Sequence, residues 1–248
     1  MCQLNLERRA KLEILMTDAL EKVRGVDELP VFPLQLVLFP GAPLPLHIFE
    51  PRYRQLLEDI RITNNLFGLS FFDQSVTELA HPPVGHIGCV AEVTEVQPLP
   101  DGRSNIFTVG IIRYRVEAYL ERGVPYLVAR VSFFEDEEDG GDLLTDNARE
   151  VGDLFMRIAR AIRTINDERA PLPDISDTDP QKLSFLVAAA MEMESESKQA
   201  LLELRSTSER LDRLKQMLQK AVGHYEERAR IHELAKGNGH SGKPVGLE

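Results

Sequence analysis

Apolar residues follow several different rhythms along the chain. Leu12, Leu15, Ala19 and Val23 recur at spacings of three and four, the period of one helix face, and predict a helix over residues 6–24 that Gly25 ends. Between residues 29 and 53 the rhythm breaks up. Prolines at 30, 33, 40, 43, 45 and 51 exclude a helix there, because proline has no N–H and its ring clashes with the preceding turn. They suit short extended pieces and edge strands. Pro40-Gly41 reads as a turn, and Pro51 as the first residue of a helix carrying Tyr53, Leu56, Leu57 and Ile60. Alternating or continuous apolar runs at 66–72, 84–96, 106–119 and 126–134 read as strands, with Pro100-Asp101-Gly102 as a hairpin turn between two of them. Short strands with turn signals predict a closed or nearly closed β architecture.

The character changes after Phe134. The acidic, glycine-bearing run at 135–142 reads as a solvated hinge. Val151, Leu154, Phe155, Ile158, Ile162 and Ile165 then form a helical stripe, broken by Pro171 and Pro173. Asp179-Pro180 starts a helix through Leu183, Leu186, Val187, Ala190 and Met191. A short helix holds Ala200, Leu201 and Leu204, and Ser206 with Glu209 makes a capping box. The last helix spaces Leu211, Leu214, Leu218, Ala221 and Tyr225 in heptad fashion. The expected organisation is an α+β chain: an N-terminal helical extension over 1–25, a β domain over 26–134, a helical subdomain over 142–236 and a disordered tail over 237–248.

The chain has 248 residues, 43% of them hydrophobic, enough for a sizeable core. Its formal net charge is -11. A local basic patch is not evident either: between Val26 and Phe134 eight arginines and no lysine face twelve carboxylates, which argues against a nucleic-acid module. The two cysteines, Cys2 and Cys89, make no disulfide framework. Charges recur through the first residues, so no apolar core of a secretory signal is seen, and no run approaches the ~20 apolar residues of a membrane span. A reducing, cytoplasmic setting without membrane contact is expected.

Candidate chemistry is thin. Gly237 to Pro244 mimics a P-loop, but Pro244 stands where the magnesium-binding hydroxyl should be and no strand precedes it. Ser195-Glu196-Ser197-Lys198 matches S-x-x-K without the partner motifs of acyl enzymes. His81, His86 and Cys89 lack a fourth ligand, and no metal or other cofactor is expected. Glu50 and Arg52 read either as an anchor for a peptide ligand or as an ion pair that stabilises the scaffold. Arg113 and Arg115 flank Tyr114 on one strand and therefore share a face. They read equally as binders of acidic groups or as cross-strand partners of Glu92, Glu95 or Glu117.

The segment Leu29 to Tyr53 resembles the opening of the Lon N-terminal substrate-binding domain family. Its proline-spaced run is matched by Pro30, Phe32, Pro33, Leu34, Val37, Leu38, Phe39, Pro40, Gly41, Leu44, Pro45, Leu46, Ile48 and the run Phe49-Glu50-Pro51-Arg52-Tyr53. Phe67-Gly68-Leu69, Gly88 to Val93, Leu99 to Arg103, Gly110 to Val116 with Tyr for the family's Phe at 114, and Pro125-Tyr126-Leu127 follow in order. Lys198 to Glu203 and Glu209-Arg210-Leu211 resemble the helical half. The resemblance covers roughly residues 28 to 220, with a helical extension before it.

This resemblance implies a PUA-like β pseudo-barrel followed by a helical subdomain, and a stand-alone member without ATPase or protease. It implies a non-enzymatic module that binds unfolded or extended polypeptide, within a groove or as an added strand at a sheet edge. The candidate peptide-binding residues are His47, Phe49, Glu50, Arg52, Arg113, Tyr114 and Arg115. The alternatives are an RNA-binding PUA-like protein and an adaptor of a chaperone or protease, with pairing through the terminal helices.

Overall fold

The computed structural model describes residues 18–73, 75, 79–137 and 142–238. The first part of the expected N-terminal helix, the middle of the acidic hinge and the P-loop-like tail from residue 239 lie outside these residues. The chain divides into two compact units. One comprises the N-terminal part through Glu135 together with Ala188–Glu203, and the other comprises Asp136–Val187 and the chain from Leu204 onward.

The first unit is built on six strands: β1 (Glu28–Leu34), β2 (Pro43–Ile48), β3 (Leu66–Phe71), β4 (Ile87–Pro98), β5 (Ser104–Tyr119) and β6 (Leu127–Phe134). Its described helices are α1 (Asp18–Lys22), α2 (Pro51–Arg61) and, in the returning segment, α5 (Ser195–Glu203). The sheet runs β2-β5-β4-β3-β1-β6, and β5 also pairs with β6. That extra pairing closes β1, β3, β4, β5 and β6 into a five-stranded barrel and leaves β2 as an edge.

The prolines take different places from those expected. β1 contains Pro30 and Pro33 yet lies between two neighbours. It manages this by changing partner halfway: Glu28 to Val31 pair antiparallel with β6, and Val31 to Leu34 pair parallel with β3. Each proline therefore has a paired strand on one flank only, where its missing N–H need break no ladder bond.

β2 is the true edge, and its prolines guard it. The Gly110 N–H donates to the Ala42 carbonyl at 2.9 Å, and hydrogen-bonded pairs alternate along an antiparallel ladder. Leu44 and Leu46 thus bond to Thr108 and Ile106, while Pro43, Pro45 and His47 turn their backbones outward. Two of those three positions offer no donor to an incoming strand.

Strands buried on both faces explain the near-continuous apolar runs. Leu66, Val90, Ile112, Tyr114, Val116, Ala129 and Val131 form one cluster with Leu29 and Val31. Phe32, Phe67, Leu69, Cys89, Ala91, Val93 and Ile106 form the other, covered by Tyr53, Leu56, Leu57 and Ile60 of α2. Successive residues of β3 go to opposite clusters. Ala19, Leu20 and Val23 pack against the first cluster, so this face of the N-terminal helix is used within the unit.

Gly110 and Gly68 are among the glycines fixed by close approach. A Cβ on Gly110 would lie 2.1 Å from the Phe39 carbonyl oxygen, and one on Gly68 would lie 2.6 Å from the Tyr114 ring. Tyr114 occupies that space, and its hydroxyl meets Ser70 Oγ at 2.8 Å.

The second unit holds α3 (Asp142–Asn166), most of α4 (Pro180–Ala190) and α6 (Thr207–Asn238). Asp179 caps α4, its Oδ1 accepting from the Lys182 N–H at 3.1 Å. Ser206 caps α6, its Oγ accepting from the Glu209 N–H at 3.0 Å. Asn147 meets Asp212, Arg157 meets Glu226 and Asp167 meets His232, so α3 and α6 run side by side in the same direction. α6 includes Gly237 and Asn238, so the helix continues two residues into the expected tail.

One guanidinium organises this unit. Arg210 is fully buried and pairs with Asp136, itself 6% exposed. It also donates to Ser184 Oγ at 2.8 Å and to the Leu204 carbonyl at 2.9 Å, and it lies 3.9 Å from the Phe185 ring. Asp136 and Leu204 stand where the chain enters the unit, and Ser184 lies just before it leaves.

Candidate functional site

The residues between β5 and β6 are held at both ends. At the base, the Leu120 N–H donates to the Val128 carbonyl at 2.9 Å. On one side Arg122 Nε donates to Glu28 Oε2 at 3.0 Å, and this hydrogen bond holds the Glu28 carboxyl below its ordinary range. On the other side the Tyr126 hydroxyl donates to Asp59 Oδ2 at 2.6 Å. Burial, and then the Asp59 bond, push the Tyr126 phenol well above its usual range. Gly123, between these anchors, takes a φ of +70°, open to glycine without strain.

Three hollows open around this loop. A cleft of about 460 Å³ has Pro33, Leu34, Tyr53, Phe72 and Pro125 as walls, with Arg52 and Gln35 at polar positions. A second of about 570 Å³ lies over His81, Tyr119 and the loop itself. A third, also about 570 Å³, lies between Gly25–Pro30, the end of α2 and the loop. Val124 and Tyr126 line all three. Apolar walls with a few placed polar groups are the usual chemistry of a recognition surface. Tyr53 stacks on Phe32 at 3.8 Å between ring centroids, so the wall of the first cleft is backed by the core.

The residues expected to bind a peptide fall in different places. Arg52 lines the first cleft, 4.5 Å from the Tyr53 ring, and its Nε donates to Glu50 Oε2 at 3.0 Å. Glu50 and Arg52 therefore form an exposed ion pair beside the cleft. His47 and Phe49 stack on each other at 6.0 Å on the outer side of the edge strand, where Phe49 is 58% exposed. His47 Nδ1 also meets Asn105 Oδ1 at 2.7 Å.

Arg113 and Tyr114 are interior residues, and burial removes both side chains from contact with a ligand. Arg113 donates to the Leu202 carbonyl at 3.0 Å and lies 4.7 Å from the Phe134 ring. It ties the returning segment to the barrel. Alternation does put Arg115 on the same face, but Arg115 is exposed. Val124 and Tyr126 were not among the expected site residues, although Pro125-Tyr126-Leu127 stood out as a motif.

Nothing in the described residues assembles a reaction centre. Ser195 Oγ donates to the Gln35 carbonyl at 3.4 Å while Lys198 Nζ donates to the Ala189 carbonyl at 3.0 Å, so different acceptors hold the two side chains. Burial pushes the Cys89 thiol up to about 12, which keeps it protonated and unreactive. The His81 ring lies tilted against Tyr119 at 4.0 Å between centroids, and no group of three His, Cys, Asp or Glu among the described residues is arranged to hold a metal ion. No described helix is long and apolar enough to cross a membrane.

Residues 28–220 match the sequence profile of the ATP-dependent protease La (LON) substrate-binding domain. The chain belongs to the Lon substrate-binding domain family. The Lon protease of Dictyoglomus thermophilum is 26% identical over 187 residues, covering 75% of this chain and 23% of that protein. The chain thus spans about a quarter of the length of the curated Lon proteases it matches. A Lon N-terminal domain protein from Xanthomonas campestris shares the fold at a TM-score of 0.57 and 24% identity, covering 76% of this chain and 97% of that one. The N-terminal domain of a Mycobacterium avium complex Lon protease does so at 0.59 and 18%, covering 77% and 98%. The Lon fold, an α+β arrangement, is therefore the fold of this chain, and the family domain is a substrate-binding one with no catalytic part.

Proposed function

We propose that this Lon substrate-binding domain is a non-enzymatic module that holds unfolded or extended polypeptide around the β5–β6 loop. The observation that carries the reading is that three neighbouring hollows share Val124 and Tyr126. An extended chain places successive side chains on opposite sides at a rise of about 3.3 Å per residue. Such a chain, passing over one loop, can set different side chains into different hollows. The proline-guarded edge of β2 disfavours the alternative route of strand addition. Of the expected set, Arg52 lines the first cleft, which supports a part for it and its partner Glu50 in binding. On this reading bound segments are held in the cytoplasm, or passed to a protease or chaperone partner. Carboxylates outnumbering arginines in the β region weigh against RNA as the ligand.

Fluorescence anisotropy of a labelled, permanently unfolded protein tests this. Wild type is expected to bind saturably at micromolar concentration, and Val124→Asn to weaken binding about tenfold, or about 1.4 kcal/mol. Single-stranded RNA at low salt is expected to give no signal. Absence of polypeptide binding, or unchanged binding by the variant, would overturn the proposal.

A further inference from the structure

The walls of the hollows combine apolar and polar groups, and their charges do not balance. Both lining arginines are already neutralised, Arg122 by Glu28 and Arg52 by Glu50. The carboxylates go the other way. Asp59 receives hydrogen bonds from Gln55 at 2.9 Å and from Tyr126, both neutral donors. Asp27 and Glu121 are exposed at the rims. Arg130 stands opposite Glu28 in the β1–β6 register and is not part of the lining. The hollow beside α2 thus sets Asp27 and Asp59 next to Pro30, Ile60 and Val128.

A carboxylate at the mouth of an apolar hollow suits a lysine or arginine side chain. Its methylene stem packs on the apolar wall while its charged head reaches the acid. The face of Tyr126 adds an aromatic surface for the same group. We infer that the ligand is a basic segment of extended polypeptide, one in which lysine or arginine residues alternate with apolar or aromatic ones. The inference rests on the proposed function and adds the substrate class to it. The acidic hollow takes the cation and the cleft by Tyr53 and Phe72 takes the apolar neighbour.

The test uses the full chain and three labelled peptides of equal length and equal leucine and tyrosine content. Their polar positions are filled with lysine, with glutamate or with serine. The lysine peptide is expected to bind at least about tenfold more tightly than the serine peptide at low salt, with the glutamate peptide weakest. Long-range attraction to an acidic protein would give the same order, so two variants separate the sources. Asp27→Asn with Asp59→Asn is expected to erase most of the preference, while Glu233→Gln, a carboxylate in the helical unit, is expected to leave it intact. Equal binding of all three peptides, or a preference that survives the double variant, would overturn the basic-segment inference while leaving polypeptide binding standing. Failure of every peptide to bind would overturn both.

Discussion

A single side chain shows how costly some positions are. Arg210 is buried with a buried carboxylate and has hydrogen-bond partners from three stretches of chain. A buried pair of this kind is often no better than a well-packed apolar one, but removing one member strands the other. Arg210→Met is therefore expected to cost roughly 3–5 kcal/mol by leaving Asp136 uncompensated. Adding Asp136→Leu is expected to recover part of that loss, because no charge is then left buried. Thermal unfolding of the two variants checks this, and equal melting temperatures would contradict it. The exposed pairs along the α3–α6 seam, such as Arg157–Glu226, contribute little by comparison, because water screens them. The E-R-L motif had marked Arg210 as part of the family pattern, yet nothing local revealed that its partner lies 74 residues earlier.

The elements themselves were largely legible. Pro51 opening a helix, Asp179-Pro180 and Ser206 as caps, and the Asp101-Gly102 turn all depend on contacts within a few residues, which sequence displays directly. Pairing was less legible. The proline run looked like edge strands, but only the barrel's closure shows that β1 is enclosed and β2 is the edge. Arg113 and Arg115 do share a face, and their different fates depend on Leu202, which sequence spacing does not place. The outward prolines of β2 have a consequence of their own. Replacing Pro43 and Pro45 with valine and threonine restores two edge donors on a strand with good β propensity. That double variant is expected to self-associate at concentrations where wild type does not, as light scattering would show. Unchanged scattering would mean that something other than the prolines protects the edge.

The candidate site belongs to the scale of the whole β unit. Its walls come from residues 25–30, 33–35, 52–53, 59–66, 72, 80–81 and 119–128, segments that no single motif joins. Family resemblance named a role and highlighted Tyr126, but the hollows exist only once the barrel closes. The account is most directly tested by hydrogen exchange of the full chain with and without a saturating unfolded protein. The expected result is slowed exchange confined to residues 25–35, 52–66, 72 and 119–128, with the outer edge of β2 unchanged. Protection concentrated on β2, or no protection near the β5–β6 loop despite bound polypeptide, would contradict it.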